Sequence, residues 1–299
     1  GTGAGGGTLV HTLKDSGKRI LVLERGGFLP QEKENWDPKA VFIDERYHTK
    51  ERWKDKNNKE FRPGTGYWVG GNTKVFGAAL YRMREKDFEK VEHEGGTSPA
   101  WPIKYADFEP YYTKAEKLYQ VHGQAGIDAT DPFRSEAYPE PKVSHEPIIQ
   151  EIHNHLEKNG YNPSYIPLAI KLNEADKVNS LCIRCDTCDG FPCLVHAKSD
   201  ADRNCIRPTI KNTNVTLLTH AEVLKLHTDD TGKHINKVEV RINDTIYYYS
   251  SNIVVVSCGA INSATLFLKS ANTLHPNGLA NASDQVGRNF MKHQNAVVL

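Results

Sequence analysis

The hydrophobic pattern near the N-terminus predicts a loop, a helix and a strand in succession. In the segment TLVHTLKDSGK, Leu9, Val10 and Leu13 form one apolar stripe, which is the spacing of an amphipathic helix. Gly17 is a typical stop signal for that helix. The segment RILVLERGG follows and predicts a strand, because it is a short apolar run that ends in an acid.

Further along the chain, other apolar patterns predict additional elements. The alternating segment DTIYYYSSN predicts a strand of a small sheet. The run IVVVSCGA predicts a buried strand. In PIIQEIHNHLEKNGY, a helix would place His153 and His155 on different faces, which predicts solvated side chains.

The glycines before the first helix predict a nucleotide-binding turn. Gly1, Gly3 and Gly6 fit the pattern G-x-G-x-x-G. In that pattern the first glycine makes a tight turn, the second admits a pyrophosphate, and the third allows close helix packing. Glu24 lies 23 positions after Gly1, close to the spacing of a carboxylate that holds a ribose hydroxyl. Loop, helix, strand and acid together predict a dinucleotide-binding unit.

A second glycine-rich segment, GTGYWVGGNTKVFGAALYRMREKDF, covers residues 64–88. Its glycines, together with Thr65, Asn72 and Thr73, make a loop that can lie flat against a planar ligand and donate backbone N–H groups.

Composition narrows the classes of partner. The net charge of +1 over 299 residues gives no field that would favour nucleic acid, so no nucleic-acid partner is predicted. No apolar run approaches the roughly 20 residues of a membrane-spanning helix, so no transmembrane segment is predicted. The sequence leaves the cellular compartment open.

These segments resemble the glucose-methanol-choline (GMC) family of FAD-dependent oxidoreductases. The resemblance rests on GTGAGGGTLV…VLERGG, VGGNTKVFGAALYRMREKDF, WPIKYADFEPYYTKAE, NVTLLTHAEVLKL, VVVSCGAINSATLFLKS and VGRNFMKH. It implies an α/β fold with a Rossmann-like FAD-binding domain and an inserted, incomplete substrate domain. The implied boundaries are 1–95 for the first part of the FAD domain, 96–204 for the insertion with its cysteine-rich loop, and 205–299 for the second part.

The resemblance also implies FAD as the cofactor. Some family members attach FAD covalently through a histidine in the flavin loop, where this sequence has Val75. Non-covalent FAD is therefore expected. The implied cofactor-binding residues are Gly1, Gly3, Gly6, Glu24, Arg25, Gly70, Gly71, Asn72, Thr73, Phe76, Gly77, Ala221, Val223, Gly259 and Asn262.

The activity that the resemblance implies is oxidation of an alcohol or sugar CH–OH group by hydride transfer to flavin N5. The family's catalytic histidine pair has no match here, so the catalytic residues are expected beyond Leu299. His293 is either close to the flavin or a structural histidine. The chain is expected to be a fragment that lacks both ends, including the strand before Gly1, and to bind FAD poorly as given. An alternative is a non-catalytic flavin- or nucleotide-binding module.

Four cysteines form a separate candidate site with the spacing C-x2-C-x2-C-x4-C. This spacing approaches the ferredoxin run, which favours an iron–sulfur cluster. The family resemblance implies its role: some GMC dehydrogenase subunits carry a cluster in this region, with a different cysteine pattern, that passes electrons from the flavin to an acceptor protein. A structural zinc ion, two disulfides and free thiols remain open as alternatives. The four residues are Cys182, Cys185, Cys188 and Cys193.

Overall fold

The computed structural model describes residues 1–55 and 57–291. Its helices are α1 (Ala4–Leu13), α2 (Tyr105–Tyr119), α3 (Pro147–Lys158), α4 (Arg207–Thr209) and α5 (Ala260–Lys269). Shorter helical turns lie at Lys33–Trp36, Lys39–Ile43, Gly71–Lys74, Glu85–Phe88 and Asp202–Ile206. The strands are β1 (Ile20–Leu23), β2 (Trp53–Lys54), β3 (Glu60–Phe61), β4 (Val91–His93), β5 (Gly96–Ser98), β6 (Val121–Gly123), β7 (Glu140–Pro141), β8 (Leu168–Ala169), β9 (Val215–Leu218), β10 (Ala221–Thr228), β11 (Ile235–Ile242) and β12 (Thr245–Tyr249).

The chain divides into two compact units. The first contains Gly1–Pro30, Tyr47–Lys74 and the described residues from Ala201 onward. The second contains Gln31–Arg46 and Val75–Asp200. In the part of the chain that the structure covers, no helix has the length and the hydrophobicity that crossing a bilayer requires.

A parallel strand pair and one helix form the nucleotide-fold part of the first unit. β1 lies parallel to β9, from Ile20 opposite Val215 to Leu23 opposite Leu218. α1 begins inside the glycine run, earlier than its apolar stripe predicts, and ends at Leu13. The predicted order of loop, helix and strand is confirmed. The buried core on this pair consists of Val10, Val22, Val69, Ile206 and Val215.

A three-stranded antiparallel meander, β10–β11–β12, forms the second layer of the first unit. The turn between β11 and β12 consists of Asn243 and Asp244, which both have positive φ and so suit a two-residue hairpin. Leu266 of α5 is buried in the same apolar cluster as Leu226 and Val240 of the meander. The strand predicted from DTIYYYSSN is confirmed as β12.

The prediction of a buried strand at IVVVSCGA is wrong. Residues 252–257 form no strand, and the side chains of Ile253 and Val255 are 74% and 58% exposed. Val254 and Val256 do pack against the meander cluster, so buried and exposed side chains alternate along the segment and only one of its faces is covered. A strand also needs a hydrogen-bonded neighbour, and none of the described segments pairs with this one.

A buried ionic network organises the second unit. The Arg82 guanidinium, whose side chain is 1% exposed, donates to both carboxylate oxygens of Glu116 at 2.9 and 2.6 Å and to Glu109 at 3.0 Å. Glu109, Thr113 and Glu116 lie on one face of α2, and Arg134 adds a 2.6 Å ion pair to Glu116. A charge of this kind can be buried only because each group is paired and hydrogen-bonded.

The prediction that both histidine side chains of α3 are solvated is wrong for His153. His153 is buried at 7% exposure, whereas His155 is exposed as predicted. The ring of His153 packs against His145 and Tyr165, with centroids 5.0 and 5.3 Å away. These aromatic neighbours come from loops outside the helix, so helical periodicity alone does not reveal them.

The Arg82 network predicts an acid-sensitive contribution to stability. Hydrogen bonds from the Ser135 N–H, Arg82 and Thr113 lower the pKa of Glu109 to about 2, from an ordinary value of 4.5. Ionised Glu109 therefore stabilises the folded state above about pH 4.5, and this stabilisation is lost as the pH falls towards 2. Glu109→Gln is expected to have a lower urea midpoint than the unsubstituted protein at pH 7. Between pH 7 and pH 3, the urea midpoint of Glu109→Gln should fall by less than that of the unsubstituted protein.

The control is Glu136→Gln, which removes an exposed ion pair with Lys117 and is expected to have little effect at either pH. Equal pH sensitivity of the Glu109→Gln and unsubstituted proteins in urea unfolding would contradict the account.

Candidate cofactor site

The first glycine loop is tightly packed against backbone at Gly1 and Gly6 but open at Gly3. A Cβ at Gly1 would lie 2.3 Å from the Ser257 carbonyl oxygen, and one at Gly6 would lie 2.1 Å from the Gly1 oxygen. A Cβ at Gly3 would meet only the Cα of Gly71, at 3.9 Å. Gly1 and Gly6 are thus required by backbone packing, whereas Gly3 leaves space at the start of α1. Helix N-termini carry unpaired N–H groups that bind phosphates, so this open face can bind an anionic group.

Glu24 is buried at the end of β1, with 6% exposure. Its Oε2 accepts hydrogen bonds from the Thr2 backbone N–H at 2.9 Å and from the Thr2 hydroxyl at 2.6 Å. Its Oε1 accepts one from the Gly26 N–H at 3.0 Å. A carboxylate offers about four lone-pair positions, so Glu24 retains capacity for one ribose hydroxyl while these donors hold it.

Thr2 connects Glu24 to the second glycine loop. Its hydroxyl oxygen accepts a hydrogen bond from the Gly70 N–H at 3.0 Å, while its hydrogen is donated to Glu24. Thr2 has no exposed surface. One side chain therefore joins the first loop, the end of β1 and the start of the second loop.

The second loop adopts a conformation that glycine favours. Gly70 and Gly71 have φ values of 99° and 57°, in the left-handed region. Thr73 Oγ1 donates to the Gly70 carbonyl at 2.5 Å and accepts from the Ala201 N–H at 3.0 Å. Lys74 then forms a buried ion pair with Asp202 at 3.1 Å. Thr73 and Lys74 thus hold the loop rather than extend from it.

Asn72 differs from its neighbours because it is exposed. Its Oδ1 accepts hydrogen bonds from the Thr65 hydroxyl at 2.9 Å and from the Gly66 N–H at 3.4 Å. Of the four predicted residues 70–73, it is the one whose side chain lies at the surface.

Arg25 lies in a network of charged and aromatic groups next to Glu24. Its guanidinium pairs with Glu51 and, at 3.2 Å, with Glu222, and it lies 4.0 Å from the centroid of the Tyr67 ring. Burial and the hydrogen bond to Glu51 raise the pKa of Tyr67 to about 12, and Asn262 is a further hydrogen-bond partner of this hydroxyl. Arg25 and Asn262 are therefore brought to the same cluster.

The remaining predicted residues of the first unit lie on β10 and at the start of α5. Ala221 is buried and its N–H donates to the Glu24 carbonyl at 2.9 Å. Val223 packs against the meander cluster. Gly259 caps α5 with a φ of 80°, and a Cβ there would meet nothing within 4 Å.

Phe76 and Gly77 belong to the second unit, beside the cysteine loop. Phe76 packs against the cluster of Ala78, Ile170 and Leu172. A Cβ at Gly77 would lie 2.7 Å from an Asp189 carboxylate oxygen.

The four cysteines of the loop are free thiols in the structure. Burial raises the pKa of the Cys182 and Cys188 thiols, and the nearby Lys198 ammonium opposes this rise at Cys188. Lys198 is itself 2% exposed and donates to the carbonyls of Cys188 and Phe191 at 2.7 and 2.9 Å. Among residues 1–55 and 57–291, no three His, Cys, Asp or Glu side chains are arranged to hold a metal ion.

Sequence reasoning missed three residues of the first unit that organise the site. Thr2 lies inside the recognised glycine pattern, so a hydroxyl residue between two glycines was the available signal. Glu51 and Tyr67, which pair with Arg25, carry no motif and are recognisable only from the fold. His293 lies outside the described residues.

The chain resembles known proteins over nearly its whole length. A profile described as GMC oxidoreductase matches residues 3–295. The chain is 30% identical to 6'''-hydroxyparomomycin C oxidase from Streptomyces lividus, over 96% of this chain and 52% of that protein. It is 26% identical to 2-methyl-1,2-propanediol dehydrogenase from Mycolicibacterium austroafricanum, over 98% of this chain and 54% of that protein.

The fold is similar to that of a solved FAD-dependent oxidoreductase from Chaetomium thermophilum. The TM-score is 0.60 at 17% sequence identity, over 91% of this chain and 46% of that chain. The chain spans about half the length of the curated relatives it matches. With its glycine loop, buried Glu24 and matching profile, this chain belongs to the GMC oxidoreductase family and carries that family's N-terminal FAD-binding domain.

Proposed function

We propose that the full-length protein is an FAD-dependent enzyme that oxidises a CH–OH group of a small-molecule alcohol or sugar. The observation that carries this proposal is the junction of Thr2, Glu24 and Gly70 beside the open face of Gly3. Membership of the GMC family supports it. The two relatives are named as an oxidase of a hydroxyparomomycin and a dehydrogenase of a propanediol.

The residues of the first unit would hold FAD in a definite order. Gly3 and the first turn of α1 would hold the pyrophosphate, and Glu24 would accept a hydrogen bond from the adenosine ribose. The N–H groups of Gly70 and Gly71 already donate to the Thr2 hydroxyl and the Trp68 carbonyl, so these glycines would offer the flavin half backbone contacts rather than N–H donors. Arg25 and Asn262 would lie at the edge of the site. When bound, FAD supplies a hydride acceptor at flavin N5.

Other parts of the proposal concern the whole protein. FAD is bound non-covalently, because Val75 stands where some family members have a histidine. Residues 96–204 form an insertion that faces the substrate, between the two parts of the FAD domain at 1–95 and 205–299. No residue of this chain is proposed as the catalytic base.

The test of this function uses the purified full-length protein. Acid precipitation is expected to release FAD into the supernatant, and a panel of alcohols and sugars is expected to contain a substrate. Peroxide formation and dye reduction are measured separately, which distinguishes an oxidase from a dehydrogenase. Flavin retained in the acid pellet contradicts non-covalent binding. FAD binding without turnover of any panel member would favour a non-catalytic flavin-binding module.

The role of Gly3 predicts a selective loss of FAD binding. In Gly3→Ala, the added methyl group would meet no protein atom closer than 3.9 Å, but it would enter the space assigned to the pyrophosphate. We expect FAD affinity to fall by about tenfold or more, while the thermal midpoint moves by no more than about 4 °C.

The matched control for this prediction is Gly64→Ala, since a Cβ at Gly64 meets nothing within 4 Å. It is expected to leave both the affinity and the midpoint unchanged. If Gly3→Ala binds FAD as tightly as Gly64→Ala in a flavin fluorescence titration, the pyrophosphate does not lie at Gly3.

We propose a second function for the cysteine loop, an iron–sulfur centre that serves an electron-acceptor protein. The spacing of four free thiols on one loop supports it, and the buried Lys198 charge would offset part of the negative charge of the ligating thiolates. The thiols would have to close around the centre, because no three of them are in ligating positions among the described residues.

The full-length protein, purified without oxygen, is expected to contain iron and sulfide and to absorb visible light beyond the flavin bands. Cys185→Ser should lose the iron, whereas Cys258→Ser, outside the loop, should retain it. Zinc in place of iron, a disulfide within the loop, or four titratable thiols without metal would each contradict this second function.

A further inference from the structure

Thr2 joins three segments of the first unit that are far apart in the sequence. Its hydroxyl donates to Glu24 across 22 positions of sequence and accepts from Gly70 across 68. Its backbone N–H donates to the same Glu24 oxygen. The glycine pattern assigns no role to this position, since the pattern concerns only the glycines around it.

The direction of these hydrogen bonds is fixed by chemistry. The Gly70 N–H can only donate, so the Thr2 oxygen must accept that bond. An ionised carboxylate can only accept, so the single hydroxyl hydrogen of Thr2 must point to Glu24. The hydroxyl therefore has one arrangement that satisfies both partners. Removing it would leave one buried donor and one buried acceptor with fewer partners.

We propose that Thr2 is a positioning residue that sets the Glu24 carboxylate for the adenosine ribose of FAD and fixes the second glycine loop relative to it. The inference rests on the proposed function, because it assumes that FAD is the ligand. Thr2 acts through Glu24: it occupies Oε2 with two donors, which leaves the remaining lone pair on Oε1 for the ligand. Thr2 itself need not touch FAD.

If Thr2 acts through Glu24, the effect of a Thr2 substitution on FAD affinity should depend on Glu24, which a merely structural role would not require. Thr2→Val keeps the shape of the side chain and removes the hydroxyl, while Thr2→Ser keeps the hydroxyl. In the unsubstituted background, Thr2→Val is expected to weaken FAD binding by about tenfold, and Thr2→Ser by less than about threefold. In a Glu24→Gln background, Thr2→Val should weaken FAD binding by less than about threefold, because the group it positions has already been changed.

The experiment titrates the apo form of the full-length protein with FAD and with ADP, and records the thermal midpoint of each variant. ADP carries the adenosine ribose without the flavin, so its affinity should fall in Thr2→Val as the affinity for FAD does. If Thr2→Val does not fold, Thr2→Cys takes its place, since its thiol is a weak donor, and it should bind FAD at least about threefold more weakly than Thr2→Ser.

The outcomes separate the two proposals. Failure of the unsubstituted protein to bind FAD overturns the proposed function, and this inference with it. Tight FAD binding by the unsubstituted protein together with equal affinities of Thr2→Val and Thr2→Ser overturns the positioning role alone. An equal loss from Thr2→Val with and without Glu24→Gln shows that Thr2 does not act through Glu24, and also overturns it.

Discussion

The buried carboxylate of Glu24 is the constraint on which the first unit depends. A carboxylate removed from water is costly unless donors surround it, and here the donors come from Thr2 and Gly26. To supply them, the first glycine loop must fold back on the end of β1. Thr2 then extends the same network to Gly70. The need to satisfy one buried carboxylate thus links the two glycine loops, and Thr73 and Lys74 hold the second loop in addition.

The second unit also buries charged side chains that need partners, and it buries more of them. Arg82, Glu109, Glu116 and Arg134 are buried together, and each depends on the others for compensation. Such networks are sensitive to the loss of one member rather than to small changes in packing. The second unit has an apolar cluster as well, of Ala78, Ile170 and Leu172, just as apolar side chains form the core around β1 and β9.

The sequence predicted the features of this fold that depend on local order. The glycine spacing, the first helix and the strand ending at Glu24 are close together in the chain, so their pattern is sufficient. The features it missed depend on distant partners. The bond from Gly70 to Thr2 spans 68 positions, and the burial of His153 depends on Tyr165. Residues 252–257 were predicted as a buried strand because apolar content does not reveal whether a neighbouring strand is present.

The same distinction applies to the cofactor site. Motif residues such as Gly3 and Glu24 were predicted from spacing alone, whereas Glu51 and Tyr67 became candidates only when the fold placed them around Arg25. A crystal structure of the full-length protein with FAD tests the central claim most directly. The account predicts an adenosine ribose oxygen at hydrogen-bond distance from Glu24, about 2.5–3.0 Å, with the Thr2 bond to Glu24 retained. An adenosine ribose bound elsewhere, with Glu24 bonded only to Thr2 and Gly26, would contradict it.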